Sequence, residues 1–225
     1  MAISEKETLH YWNYFCSLCK RLDNTRQYVD HGSNNNILRN AEVNSFEFQQ
    51  LITLTAIEFE NISKLICLDI DSTFNLQHAN IKQITEKILG KYPKIGETIV
   101  LSDYQNIQPL KEWGTYIDPT DNKKKVKGIK WWDDYSDIKH QTYWKFDLAT
   151  LENAVNALAS LMVMELYLMK ISMDSVNMSL NKPCAYFSSP YPSNLLCTRE
   201  KALPDFDGAR TNELIEDGTL FLNTL

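Results

Sequence analysis

The residues with the clearest chemical potential lie in one short stretch, WWDDYSDIKHQTYW, which begins at Trp131. If this stretch is helical, Trp132, Tyr135 and Lys139 fall at steps of three and four and share one face. Lys139 and His140 then lie near the C-terminal end of the helix, where the helix dipole favours a cation. A histidine beside aromatic rings can act as a general base, or it can be a partly buried structural group that is hydrogen-bonded to a neighbour.

Glu58 is a second candidate, because it falls between Leu54 and Ile62 on an apolar stripe. A carboxylate there loses its water, which is costly unless a cation or a donor meets it. Lys64 lies four residues after Glu60 and is expected to pair with it, so the partner of Glu58 must come from another helix. The side chains that could supply it are Lys139, His140 and Arg26. Such a carboxylate is either a structural clamp or a catalytic group.

A lysine-rich segment, TDNKKKVKGIK, lies directly before the aromatic stretch. Basic residues next to aromatic residues suit stacking on single-stranded nucleic acid. Acidic neighbours, Asp118 and Asp121, and the lack of arginine favour a solvated surface loop instead. The formal net charge of -6 gives no general attraction to nucleic acid or to an anionic membrane.

The five cysteines and the remaining motifs predict neither a metal site nor a cofactor. Cys16 and Cys19 form a C-x-x-C at the core-facing spacing of a helix interior, not at a helix start, where a thiolate would be activated. Cys184 and Cys197 do not complete a zinc pattern. The chain also lacks a Gly-rich phosphate loop, a G-x-S-x-G and an H-E-x-x-H, which are the motifs of common enzyme classes.

Composition predicts a globular and mainly helical protein, because 44% of the residues are hydrophobic and only 7 are Gly and 7 are Pro. The N-terminus, MAISEKETLHYW, lacks the basic and apolar regions of a signal peptide, so a cytoplasmic protein is expected. The most apolar run, Ala154 to Met169, is shorter than the roughly 20 residues of a bilayer span. It is expected to be a buried core helix.

Two long helices are predicted in the first part of the chain. The first begins at a capping box of Ser4 and Glu7 and ends near Gly32. The second begins at a capping box of Asn44 and Glu47. Both carry apolar residues at steps of three and four, which is typical of amphipathic helices.

Three further helices are predicted. A short one is capped by Asn80 and has Gly90 just past its end, one covers 131–142, and a very apolar one runs from its N-cap Asp147 to about Met173. The β-branched patch 98–100 predicts an extended piece but no sheet. These elements form an all-α bundle of about four to five helices within residues 1–180. Residues 181–225 have no sustained period and are expected to form an irregular extension that packs on the bundle or is partly mobile.

Three segments taken together, EFENISK, WWDDYSDIKH and DLATLENAVNALASLMVMELYL, resemble a group of uncharacterised bacterial proteins with a W-x-x-Y-[NS]-x-[IV]-K-H signature. The signature residues here are Trp132, Tyr135, Lys139 and His140. These proteins look like distant relatives of the HEPN superfamily, whose all-α bundles include RNA-cleaving toxins, antiphage effectors and non-catalytic nucleotide-binding or dimerisation modules. The resemblance covers roughly residues 5–175 and implies a HEPN-like bundle.

The sequence departs from the catalytic HEPN pattern. Active HEPN ribonucleases carry R-x(4-6)-H, in which the arginine binds the scissile phosphate and the histidine assists proton transfer. The corresponding positions before His140 hold D-D-Y. Lys139 could supply a positive charge, but it cannot reproduce a bidentate guanidinium. The one literal R-x4-H is RQYVDH, Arg26 to His31, at the end of the first predicted helix.

These observations predict an uncharacterised HEPN-like protein that acts as a non-catalytic binding or dimerisation module in bacterial defence or regulation. Its polar centre is expected to comprise Glu58, Tyr135, Lys139 and His140. The alternative is a metal-independent endoribonuclease, in which His140 transfers protons and Lys139 stabilises phosphate charge. The partners that stay open are a second copy of the chain, RNA or another protein. No cofactor, metal or membrane is expected.

Overall fold

The computed structural model describes residues 5–34, 37–101, 106–175, 197–198 and 203–205. Five α-helices dominate these residues, so the predicted helical class is confirmed. They are α1 (Glu5–Asn24), α2 (Phe46–Ile70), α3 (Ile81–Lys91), α4 (Lys130–His140) and α5 (Leu151–Ser175). Short antiparallel strands connect them: β1 (Ser33–Asn34), β2 (Ile37–Leu38), β3 (Val100–Leu101), β4 (Asn106–Ile107), β5 (Gly114–Ile117), β6 (Lys124–Lys127) and β7 (Cys197–Thr198).

Helix α5 lies at the centre of the bundle and packs against α1, α2 and α4. Because α5 itself carries apolar residues on nearly every face, its positions from Leu151 to Ser172 are almost all buried. It is the one helix of the described residues that is long and apolar enough to cross a membrane, and 94% of that window is buried inside the fold. The described hydrophobic core forms around it, with Trp12, Phe48 and Trp131 among its largest side chains.

The helix boundaries follow local capping chemistry. At α3, the side chain of Asn80 accepts a hydrogen bond from the backbone N–H of Gln83 (3.0 Å), and the Gln83 side chain accepts one from the Asn80 backbone (3.1 Å). The predicted Asn80 cap is therefore confirmed, although α3 extends to Lys91 and includes Gly90. At α2 the predicted Asn44 cap is wrong, since Ser45 Oγ accepts from the Phe48 backbone (3.1 Å).

Two other predicted boundaries are wrong. Helix α1 ends at Asn24, not near Gly32, and a 3-10 turn, Thr25–Gln27, follows it. The Thr25 hydroxyl donates to the Leu22 carbonyl (2.7 Å), and this satisfies one of the free carbonyls at the helix end. Helix α5 begins at Leu151 after a 3-10 turn that contains Asp147, so Asp147 is not its cap. The predicted cap Ser4 lies outside the described residues.

Strand pairing was underestimated from the sequence. The lysine-rich segment predicted to be a loop instead forms strand β6, which pairs with β5 from Gly114↔Lys127 to Ile117↔Lys124. The 98–100 patch continues into β3, which lies between β4 and β7 in a small sheet. Strand β7 comes from the distant C-terminal part of the chain, so no local pattern could have revealed that pairing.

The described pieces of the C-terminal segment contact the bundle. Leu203 is 4% exposed and belongs to the core. The carboxylate of Asp205 accepts a hydrogen bond from the Tyr167 hydroxyl of α5 and another from the Lys94 backbone, both at 2.9 Å. These contacts join residues 203–205 to α5 and to the segment that follows α3.

Candidate functional site

Residues 131–140 of the aromatic stretch lie in helix α4, which ends two residues before the predicted 142, and the first tryptophan of the stretch is a structural anchor. Trp131 is 2% exposed, and its indole N–H donates to Ser160 Oγ of α5 at 2.8 Å. Its ring also meets the Phe59 ring of α2 edge to face, with 5.4 Å between the ring centroids. Trp131 therefore fixes α4 against both α2 and α5.

The structure separates the four residues that the sequence placed in one polar centre. Lys139 and His140 are exposed at the end of α4, whereas Tyr135 is 8% exposed and Glu58 is 7% exposed. Lys139 lies over the Tyr135 ring, with 5.9 Å from Nζ to the centroid. Within the described part of the chain, the only hydrogen bond of Glu58 comes from Asn61 Nδ2, at 3.3 Å.

The predicted contact of Glu58 with Lys139 or His140 is therefore wrong, and helix geometry explains why. Helix α4 approaches α2 at Phe59, which meets Trp131 and Trp132. Successive residues of an α-helix are rotated by about 100°, so the position before Phe59 points elsewhere. The third proposed partner, Arg26, pairs with Asp23 at 3.0 Å. The predicted pair of Lys64 with Glu60 is confirmed at 2.6 Å.

Glu58 faces α1 and α5 instead. Burial raises the pKa of its carboxyl, whereas the hydrogen bond from Asn61 and the charge of His10 in α1 lower it. Its charge also acts on Glu165 of α5, which is completely buried. The sequence signal for Glu165 is a single acid in the apolar run LMVMELYLM, and it belongs to no recognisable motif.

A cavity of about 370 Å³ lies between α3, the β5–β6 hairpin and the start of α4. Its lining is mostly apolar and includes Ile81, Val126 and Ile129. Two tryptophans, Trp113 and Trp132, contribute their rings to it. A cavity of this size with mainly apolar walls is typical of small-molecule sites.

The two indoles of the cavity are held in different ways. Trp113 is 5% exposed, and its N–H donates to Thr85 Oγ1 of α3 at 2.8 Å. Trp132 is partly buried and packs edge to face on Trp131 and Tyr135, with centroid distances of 5.6 and 5.5 Å. The Trp132 N–H has no hydrogen-bond partner among the described residues, so it can donate to a ligand.

Charged groups of both signs also line the cavity. Lys82 of α3 forms no ion pair with any described residue, whereas Lys125 is engaged by Asp118 and lies 3.4 Å from Asp121. The Asp133 carboxylate sits over Gly128, where a Cβ atom would come within 2.6 Å of a carboxylate oxygen.

Asp133 is also poised to accept hydrogen bonds. Desolvation is the first cause that raises the pKa of its carboxyl, followed by the charges of Asp134 and Asp137. It accepts no hydrogen bond from a described residue, in contrast to Asp134, which is bound by Lys130 and by Asn153. The cavity thus combines flat apolar walls with one cation and one acceptor that have no partner among the described residues.

Other lysines of the basic segment are neutralised. Lys127 pairs with Glu112 at 3.2 Å, and Lys130 pairs with Asp134. Lys123 and Lys124 are exposed. Across the described ranges, no group of three or more His, Cys, Asp or Glu side chains could hold a metal ion.

Comparison with known proteins gave no further assignment. A scan of protein-family models, a search of curated proteins and a search of solved structures all returned no match.

Proposed function

We propose that the protein is a non-catalytic binding module with a HEPN-like bundle, and that the cavity beside α4 is its ligand site. The observation that carries this proposal is that one cavity brings together two indole walls with Lys82 and Asp133, neither of which has a partner among the described residues. Binding is favoured over catalysis because the four residues of the predicted polar centre are divided between the protein surface and its interior.

The chemistry of the cavity favours a ligand with a flat ring, an N–H edge and an anionic group. The ring stacks on Trp132, which contributes about 1–3 kcal/mol for a nucleobase. The N–H edge donates to Asp133, and the anion meets Lys82, which acts as a point charge. A nucleotide has all three features.

Titration calorimetry with the four nucleoside monophosphates, the matching nucleosides and inorganic phosphate tests this proposal. Trp132→Ala is expected to weaken binding by about tenfold or more, because it removes the stacking surface. Lys82→Ala is expected to weaken nucleotide binding but not binding of the nucleoside. The matched controls are Trp144→Ala and Lys123→Ala, which alter exposed side chains outside the cavity. Unchanged affinity in Trp132→Ala, or no binding by any nucleotide, would contradict the proposal.

The ribonuclease alternative is favoured by a separate surface. Lys139 and His140 are exposed, and they precede two exposed rings, Tyr143 (82%) and Trp144 (78%), which pack against each other. An exposed base, a cation and stacking rings suit RNA, with His140 as proton carrier and Lys139 as charge stabiliser. Glu58 and Tyr135 are buried, so in this alternative they would stabilise the fold and take no part in cleavage.

Incubation of the protein with mixed RNA tests the alternative. Cleavage that disappears in His140→Ala supports a ribonuclease, and cleavage by neither protein counts against it. His78→Ala is the control, since it alters another exposed histidine. Light scattering on the same samples reports whether a second copy of the chain or RNA is bound. A role in defence or regulation rests on the sequence resemblance alone.

A further inference from the structure

Glu165 of α5 is the most deeply buried charged side chain of the described residues that lacks a partner. It is 0% exposed, and neither of its carboxylate oxygens meets a hydrogen-bond donor within the described part of the chain. An ionised carboxylate that is fully buried is strongly destabilising unless a cation or a donor meets it, and none of the described residues does so here. A buried polar group of this kind calls for a physical explanation.

The groups around Glu165 come from two helices. From α2, Glu58 acts on it with a second buried carboxyl. From α1, its charge acts on Tyr11, Cys16 and Cys19. None of these residues is a cation, so burial and the charge of Glu58, the two causes that act on Glu165 among the described residues, both oppose its ionised form.

The other neighbours do not compensate the charge. The charge of His10 in α1 lowers the pKa of Glu58, and the charge of Glu7 raises the pKa of Tyr11. Helix α4 contacts α5 near its N-terminal end, where Asp134 binds Asn153, and no described charged group of α4 acts on Glu165. Two acidic groups therefore share one interior seam between three helices.

Helix α1 is the element whose movement would give both carboxyls water. It contributes the partly buried Tyr11 and the buried Cys16 and Cys19 to the seam. Helices α2 and α5 form a larger contact with each other than α1 forms with either of them, so α1 is the helix that loses least packing when the seam opens. The seam thus couples the charge of Glu165 to the position of α1.

We propose that the Glu58–Glu165 pair is a proton-operated latch for helix α1. While Glu165 holds its proton, α1 stays packed on α2 and α5. When Glu165 loses its proton, α1 leaves the seam and both carboxyls become hydrated. This inference does not depend on the cavity beside α4.

The direction of the pH effect follows from linkage. Burial and the charge of Glu58 raise the pKa of Glu165 in the closed state well above its usual value. In the open state the carboxyl is hydrated and its pKa returns to about 4.3. The opening equilibrium constant therefore rises by about tenfold per pH unit between these two pKa values and levels off above the closed-state pKa.

The buried thiols of the protein report this movement directly. Pulse labelling of the full chain with methyl methanethiosulfonate, followed by peptide mass spectrometry, gives the exposure of Cys19 in α1. Cys67 of α2 is the internal reference, because it is 0% exposed and lies against α3, with its Sγ 3.8 Å from the Ile84 carbonyl. The ratio of the two labelling rates removes the intrinsic pH dependence of thiol chemistry.

We expect the Cys19-to-Cys67 labelling ratio to rise by about tenfold per pH unit from about pH 5.5 until Glu165 ionises in place. Glu165→Gln cannot ionise, so its ratio is expected to stay flat. Glu60→Gln is the matched control, since Glu60 pairs with Lys64 on the same helix as Glu58, and it should behave like the parent protein.

Three outcomes would overturn the latch. A parallel rise of Cys19 and Cys67 labelling means that Glu165 weakens the whole fold and not α1 alone. An undiminished rise in Glu165→Gln removes Glu165 as its cause. If circular dichroism shows that Glu165→Gln does not fold, Glu58→Gln is decisive: it should reduce the total rise, and an unchanged rise contradicts a coupled pair.

Discussion

His31 is buried just beyond the end of α1, where it is 2% exposed and its Nε2 lies 2.8 Å from Thr25 Oγ1. Burial is the first cause that lowers the pKa of His31, to about 4, and the charge of Arg26 acts in the same direction. The histidine of the literal R-x4-H is therefore a neutral core residue. This arrangement favours structure over catalysis for the RQYVDH match.

His31 predicts a loss of stability in acid. Its pKa in the folded protein is lower than the value of about 6.5 in the unfolded chain, so its contribution is full above about pH 6.5 and is lost as pH falls towards 4. The His31 contribution to the free energy of unfolding should fall by up to about 1.4 kcal/mol per pH unit in this window, while the raised pKa of Glu165 contributes a slope of the opposite sign. Urea titrations at several pH values measure it.

The comparison with His31→Gln isolates this contribution. The variant should be less stable than the parent near neutral pH, and this difference in the free energy of unfolding should shrink as pH falls from about 6.5 to 4. His78→Gln, at an exposed site, should keep the parent slope. The same slope in all three proteins would mean that His31 does not cause the acid sensitivity.

At the scale of single elements, α4 is held to the bundle by its first tryptophan. Trp131→Phe should destabilise the fold by about 1–3 kcal/mol, because it removes the hydrogen bond to Ser160 and leaves space in the core. Trp144→Phe, which alters a 78% exposed ring, should change stability by less than about 0.5 kcal/mol. Urea unfolding compares them, and equal losses would show that burial does not distinguish the two indoles.

Elements with local signals were the ones that the sequence could predict. The Asn80 cap and helix α4 depend on residues within one or two turns, and both were found. The β3–β7 pairing joins residues 100–101 to 197–198 and has no local signature. The β5–β6 hairpin was missed because its lysines looked like a solvated loop, although strand edges tolerate lysine well.

The candidate site likewise contains residues that local sequence patterns could predict and residues that they could not. Trp132 could be singled out from the aromatic cluster, but Lys82 and Trp113 join it only through the packing of α3 and the hairpin. The spacing of Glu58 indicated burial, and burial is observed. Spacing within one helix does not give the orientation of a neighbouring helix, so the identity of its neighbours could not be predicted.

For the whole molecule, residues 203–205 belong to the folded unit. Leu203→Ala should lower the free energy of unfolding by about 2–4 kcal/mol, because it removes a core side chain that is 4% exposed. Ile117→Ala, at a 57% exposed position of β5, is the control and should have little effect. Thermal and urea unfolding test this difference. A negligible effect of Leu203→Ala would mean that the bundle is complete without this segment.

The central position of α5 also has a consequence for biosynthesis. Helices α1, α2 and α4 pack against a helix that comes after all of them in the chain. Ribosomes add about 5–20 residues per second, so on the order of ten seconds separate the synthesis of α1 from that of α5. During this interval the apolar faces of α1 and α2 have no core to cover them. The nascent chain is therefore expected to need chaperone protection until its fifth helix emerges.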